Sequence, residues 1–295
     1  MHIVVIGSAA MDLVVTASKR PIAGETIIGD SFALVPGGKG ANQAVACARL
    51  GAQVTFLGCV GDDHYAKLII ENLVDQGVNT QSVQRMAGTE SGTAHITLAE
   101  GDNSIIVLKG ANNHVSPSYI EKESLRLNFA TNKPQIVLIQ QEIPEDTVAY
   151  VANLCYELSI PLILNPAPAR ALSEDIISKV SYLTPNEHEA SVIFDTASYK
   201  QVLAKFPNKL VVTEGAKGVR YHNGETEQLV AGYKVQVVDT TGAGDTFNGA
   251  FAYALASGDN IREALVFANK SAAISVTKFG AQGGWYANTR ASIKL

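Results

Sequence analysis

Cysteine is scarce in this sequence of 295 residues. Cys47, Cys59 and Cys155 stand far apart among apolar neighbours, with neither Cys-x-x-Cys nor His spacing. That argues against a zinc site and for buried thiols in a reducing compartment. Long apolar runs are missing as well. None reaches the roughly 20 residues that span a bilayer, so no membrane partner is expected. Met1-His2 leads straight into a strand rather than into a signal peptide, and a cytoplasmic location is the expectation. Basic clusters are absent, and the net charge is −5. A polyanion is therefore not an expected partner, which sets nucleic-acid binding aside.

Two common nucleotide loops are also absent. A Walker loop needs a Gly separated by four residues from its Gly-Lys pair, and Ser or Thr after the Lys. Gly38-Lys39 has Ala33 at the first position and Gly40 at the second. A dinucleotide fingerprint starting at Gly242-Ala243-Gly244 would need glycine where Phe247 stands.

What is present centres on Asp239-Thr-Thr-Gly-Ala-Gly-Asp-Thr-Phe-Asn-Gly-Ala250. The β-branched run Val235–Val238 before it reads as a buried strand. Phe247, Ala250, Phe251, Ala254 and Leu255 recur at helical spacing, predicting a helix over 243–256. Gly242 and Gly244 sit at the helix mouth and let a ligand approach the backbone. Free N–H groups and the helix dipole favour an anion there. Asp245 is either a helix cap or a group that takes a proton from an attacking hydroxyl.

In chain order, His2–Ile6 reads as an apolar strand, followed by Asp12 and a second strand over 13–16. Asp12 is either a turn carboxylate or a ligand group beyond a strand end. Segments 13–16, 27–35, 93–99 and 104–108 are short strands without helices of their own, the last two a hairpin. Together they suggest a separate small sheet, a lid within about 13–35 and 93–109, which also packs on another subunit as a homodimer. Pro36-Gly37-Gly38-Lys39-Gly40-Ala41-Asn42 opens a helix over 42–50. It is a glycine hinge with a solvated Lys, or a set of donors for a polyhydroxylated substrate. From Val54 onward strands at 54–60, 136–139 and 161–165 alternate with helices at 62–76 and 145–158. That alternation predicts a three-layer α/β/α, Rossmann-like, mostly parallel sheet in a single domain. Glu142 falls at a strand's carboxyl end. Asn186 and Glu189 open a further helix and share one face, which fits a capping box and a water-bound Mg²⁺ alike. Thr213-Glu214-Gly215-Ala216-Lys217-Gly218 follows a strand over 209–213 and could be a plain hairpin turn. Asn269 lies in a helix over 261–278.

The segment 239–250 and the Gly-Gly-Lys-Gly-Ala-Asn run resemble the two signatures of the ribokinase-like sugar kinases, the phosphofructokinase-B family. The resemblance runs from the first strand to the loop Gly280-Ala281-Gln282. It implies an ATP-dependent sugar kinase, phosphorylating D-ribose at O5 to give ribose 5-phosphate, with Asp245 as base. The N–H groups of Gly242, Ala243 and Gly244 would stabilise the transferring phosphoryl. It further implies sugar contacts from Asp12, Gly38, Lys39, Gly40, Ala41, Asn42 and Glu142. ATP contacts would come from Asn186, Thr213, Glu214, Gly215, Ala216, Lys217, Gly218, Gly244 and Asn269. Asn186 and Glu189 would hold Mg²⁺ through water. Potassium would be held by Asp239 and Thr241 with Ser275, Lys278, Gly280 and Gly284. Two departures stand out. Ala10 replaces an Asn that helps hold a ribose hydroxyl, which raises a 2-deoxyribokinase as the alternative. Gly284 stands where members usually carry Ser, which weakens the potassium expectation. Other kinases of the family act on nucleosides or ketohexose phosphates. An inactive sugar-binding regulator is the reading of a different class, and the presence of Asp245 with its glycine loop argues against it.

Overall fold

The computed structural model describes residues 1–196 and 198–283. Gly284, one of the potassium expectations, lies outside them. The chain opens with β1 (His2–Ile6), β2 (Ala10–Thr16), β3 (Ser31–Gly37) and α1 (Lys39–Arg49). β4 (Gln53–Leu57), β5 (Cys59–Val60), α2 (His64–Asp75), β6 (Val78–Asn79) and β7 (Gln84–Arg85) follow. Next come β8 (Gly92–Ala99), β9 (Asp102–Leu108), α3 (Pro117–Arg126), β10 (Ile136–Gln140) and α4 (Glu145–Glu157). Then the chain forms β11 (Leu162–Asn165), α5 (Glu174–Lys179), β12 (Tyr182–Leu183), α6 (Glu187–Phe194) and α7 (Lys200–Leu203). It continues through β13 (Val211–Thr213), β14 (Gly218–His222) and β15 (Glu227–Ala231) to α8 (Ala243–Ala256) and α9 (Ile261–Ser275).

Six parallel strands form the main sheet in the order β12-β11-β10-β1-β4-β6. Its strands are apolar on both faces, as a parallel sheet covered by helices on both sides requires. Ile3, Val5, Val54, Phe56 and Leu138 pack with α1, α2, α8 and α9. Val4, Ile6, Val137, Ile139 and Leu164 pack with α3, α4 and α5 on the other side. Each fully buried Val or Ile contributes about 1.5–3 kcal/mol. A three-layer α/β/α arrangement results. Cys47, Cys59 and Cys155 are buried within it, and burial pushes each thiol up to about 12.

The four helix-free strands form a second sheet in the order β3-β2-β8-β9. β2 and β8 run parallel, and the two outer pairs are antiparallel. Two expectations are corrected. Asp12 is not in a turn after β1 but inside β2, opposite Val35 and Ala94. Val235–Val238 is neither a strand nor buried, and Val237 and Val238 are 57% and 60% exposed. Among the described residues no strand pairs with it. Instead the N–H groups of Val238 and Asp239 both donate to the Val276 carbonyl, at 2.8 and 3.2 Å. The junction at Gly242 is therefore loop-to-helix, held by the end of α9.

Candidate active site

α8 begins at its N-cap Gly242, whose φ of 74° lies in the left-handed region that favours glycine. A Cβ there would meet the Ala281 Cα at 2.6 Å. The turn folds back so that the Ala243 N–H donates to the Thr240 carbonyl at 3.2 Å. Ala243 is thus already engaged, whereas no backbone carbonyl among the described residues takes the N–H groups of Gly242 and Gly244. These remain as anion donors at the positive end of a 14-residue helix.

One turn in, Asp245 is buried at the centre of the sequence-predicted residues. Its Oδ2 accepts from Asn42 Nδ2 at 3.0 Å and its Oδ1 from Gln43 Nε2 at 2.9 Å. Burial raises its pKa, and the Lys39 charge with the two amides opposes that rise. In return the Asp245 carboxylate is the main cause raising the Lys39 pKa. Asp12 is pushed up to about 6 by burial, then by the charges of Glu142 and Asp245, with Lys39 opposing. Glu142 follows β10 and accepts from the Lys39 N–H at 3.0 Å and from the Ser8 hydroxyl. So α1, opened by Gly38, carries Lys39 and Asn42 to Asp245, while Glu142 anchors the opening turn. Gly40 lets α1 approach the end of β1 closely, since a Cβ there would lie 2.7 Å from the Ser8 backbone.

Two cavities meet at Thr240. The larger, about 560 Å³, lies between the small sheet and the loop before α8. It is lined by Asp12, Val14, Val35, Ile96 and Leu98 on one side and by Val238–Thr241 and Phe279–Ala281 on the other. The smaller, about 160 Å³, is lined by Lys39, Asn165, Thr184, Asn186, Glu189, Thr213, Gly242, Ala243, Gly244, Asp245 and Asn248. One cavity suits a polyhydroxylated molecule and the other an anionic group. Asp245 stands beside the junction.

Asn186 and Glu189 form a complete capping box on α6, with 2.8 Å bonds in both directions. Both also line the smaller cavity, so the cap does not remove them from it. Thr213 lines it too, but Gly215, Ala216, Lys217 and Gly218 line neither cavity. Glu214 is engaged elsewhere: its buried carboxylate takes a bidentate contact from Arg220 at 2.7 and 3.1 Å and one from the Tyr199 hydroxyl. The Asn269 amide likewise has a partner in the fold, donating to the Val230 carbonyl at 2.9 Å and tying α9 to β15. Asp239 accepts from Thr241 N–H and hydroxyl and from Gly280 N–H. Those bonds outweigh burial and hold its carboxyl below the usual carboxylate range. Ser275 donates to the Ala272 carbonyl within α9. Among the described residues no group of three or more His, Cys, Asp and Glu is arranged to hold a metal.

The sequence reading missed Ser8, Gln43, Gln140, Asn165, Thr184 and Asn248. Gln140 and Asn165 each close an otherwise apolar strand, and a polar residue ending such a run was the available signal. The Thr184 hydroxyl donates to Asn248 Oδ1 at 2.6 Å, and Asn248 Nδ2 donates to the Gly244 carbonyl at 2.8 Å.

A family model described as pfkB family carbohydrate kinase matches residues 1–287. The chain is 58% identical over 283 residues to a ribokinase of Bacillus subtilis (strain 168), covering 96% of this chain and 95% of that protein. It is 37% identical over 296 residues to a deoxyribokinase of Salmonella typhi, covering 97% and 95%. A solved structure of Arabidopsis thaliana ribokinase complexed with ribose and ATP is similar with a TM-score of 0.86 at 33% identity, covering 99% of this chain and 96% of that one.

Proposed function

The chain belongs to the pfkB family of carbohydrate kinases, and from that premise we propose that it transfers the γ-phosphoryl group of ATP to O5 of D-ribose, giving ribose 5-phosphate. The observation that carries this reading is Asp245 at the mouth of α8, beside the junction of a large cavity and a small anion-suited one. Ribose occupies the larger cavity, where Asp12 meets its hydroxyls; Lys39, which lines the smaller cavity, and Asn42 and Glu142, which line neither, are further partners where the sugar reaches Asp245 at the junction. The triphosphate reaches the smaller one. Asp245 accepts the proton from O5 as that oxygen attacks phosphorus and the bond to the ADP oxygen breaks. Gly242 and Gly244 N–H groups meet the charge that develops on the transferring phosphoryl. The pKa of Asp245, raised above the ordinary carboxylate value by burial, makes its carboxylate a stronger base.

Asn186 and Glu189 would hold Mg²⁺ through water, and the ion would supply neutralisation of charge on the phosphate oxygens. Both residues line the smaller cavity. Glu189 has one carboxylate oxygen outside the capping box, which fits a water-mediated contact. Asp239 and Thr241, with carbonyls of the 275–280 segment, would hold potassium. The small sheet acts as a lid on a single domain, and its outer face joins two copies in a homodimer in the cytoplasm.

The first test is Asp245→Asn. Turnover, followed as ribose-dependent ADP release, should fall ~10²–10⁴-fold. Ribose binding by calorimetry should persist. Near-normal turnover would refute the assignment of the base.

Ala10 motivates one comparison of substrates. It is buried in β2 between Gly37 and Gly92 and offers no side-chain hydrogen bond. The higher identity to a ribokinase than to a deoxyribokinase puts ribose first. Measured kcat/KM should favour ribose over 2-deoxyribose; a large preference for the deoxy sugar would replace the substrate and leave the kinase chemistry standing.

A further inference from the structure

Gln43 follows Asn42 on α1, is fully buried and lines neither cavity. It touches neither the sugar space nor the phosphate space. Yet its side chain holds three polar contacts at once. Nε2 donates to Asp245 Oδ1 at 2.9 Å and to Asn165 Oδ1 at 3.0 Å. Oε1 accepts from Gln140 Nε2 at 2.6 Å.

The polarity of this chain is forced from one end. An ionised carboxylate only accepts, so Gln43 must present its NH₂ to Asp245. Its carbonyl oxygen then faces Gln140, which must present its own NH₂. Gln140 Oε1 is consequently left, among the described residues, with no partner, although it is buried. A buried acceptor without a donor is costly, and a structure keeps one where another requirement outweighs the cost. Space for that oxygen comes from Gly7, where a Cβ would lie 2.0 Å from it. Gln140 and Asn165 end β10 and β11 of the main sheet, and Asn165 Nδ2 is fixed in turn on the Thr184 carbonyl at 3.2 Å. The brace therefore starts on the most rigid part of the molecule.

We propose that Gln43 is the positioning residue of the Asp245 carboxylate, transmitting the fixed geometry of two strand ends to the base. The inference rests on Asp245 being that base. With Oδ1 held by Gln43 and Oδ2 by Asn42, the carboxylate plane cannot rotate, and its remaining lone pairs face the incoming hydroxyl in one orientation. Asn42 cannot do this alone. Its Oδ1 accepts from Gln282 Nε2 at 2.9 Å, so it is also tied to the loop after α9, on the opposite wall of the larger cavity.

The test uses Gln43→Met, which keeps length and removes both donors, in the full-length chain. Expected is a kcat loss of about 10–100-fold, because small misplacements of a reacting group have effects of this size. KM for ribose and for ATP should stay within about threefold. The acid limb of the kcat–pH profile should move to higher pH, since a carboxylate that loses a donor is harder to ionise. Lys39 on α1, Asp12 on β2, Glu142 after β10 and Glu189 on α6 also face Asp245, and all four are unchanged in the variant. The same substitution in an Asp245→Asn background should cost less than about threefold more. Equal losses in both backgrounds, or an unmoved acid limb, would make Gln43 a packing residue and overturn the inference. Should Gln43→Met fail to fold, Gln140→Leu removes the brace one step back and should show the same pattern at about 3–10-fold; normal kcat there would also overturn it. Full turnover by Asp245→Asn alone would instead remove the base, a separate failure with a separate signature.

Discussion

Four carboxylates, Asp12, Glu142, Glu189 and Asp245, and one ammonium, Lys39, crowd the cavity junction, and the balance is unfavourable for the fold. Asp12 carries the clearest sign of this, with a pKa pushed up to about 6 by burial and by Glu142 and Asp245. Between the ordinary 3.8 and about 6, the folded chain holds a proton that the unfolded chain releases. Stability therefore falls as pH rises through that window. Asp12→Asn removes the charge and keeps the shape. At pH 7.5 the variant should be more stable by on the order of 1 kcal/mol, after allowing for partial exposure, or about 2 °C in Tm. At pH 4 the difference should vanish, and at pH 7.5 the KM for ribose should rise. Thermal unfolding at the two pH values checks the sign; a variant less stable at pH 7.5, or an equal gap at pH 4, would show that Asp12 does not bear this cost. The result would mark Asp12 as a side chain kept for function at the expense of stability.

At the scale of elements, two glycines of one turn should behave in opposite ways. Gly242 has its left-handed φ and no room for a Cβ, so Gly242→Ala should destabilise by about 1–3 kcal/mol and depress turnover as the helix mouth shifts. Gly244 is already helical and a Cβ there would meet nothing within 4 Å. Gly244→Ala should unfold no earlier in denaturant than the parent, while KM for ATP rises where the methyl meets the phosphate. Matching unfolding midpoints for the two variants would contradict this. The helix itself was legible because apolar spacing and the glycine punctuation coincide at 242–256. Val235–Val238 misled for a physical reason: β-branched residues favour a pleated strand only where another strand pairs with it. Gln43 was illegible for the opposite reason. A buried amide beside Asn42 differs from a surface one only through partners at Gln140, Asn165 and Asp245, which are remote in the sequence. The ion pair of Glu214 was illegible as well, because only the pairing of β13 with β14 brings Arg220 against its carboxylate.

At the scale of the molecule, the small sheet presents two apolar faces and the main sheet covers neither fully. Strand register sorts them. Asp12, Val14, Ile96, Leu98, Ile105 and Val107 share the face that borders the larger cavity. Val15, Phe32, Leu34, Ile106 and Leu108 share the other, and all are exposed, Ile106 by 69%. A contiguous exposed apolar patch on an edge-rich sheet marks an interaction surface or an aggregation hazard. The homodimer proposed above covers it with the same patch of a second copy, as a two-fold interface requires. Ile106→Glu places a charge in that patch without touching the cavity face. Light scattering should then report a monomer at concentrations where the parent is a dimer, and both should unfold with the same cooperativity. Because the same strands line the sugar space, KM for ribose should rise severalfold in the monomer while kcat changes little. A variant that stays dimeric at micromolar concentration would move the interface away from this sheet; a parent that is itself monomeric would leave the patch as the lid's own exposed surface.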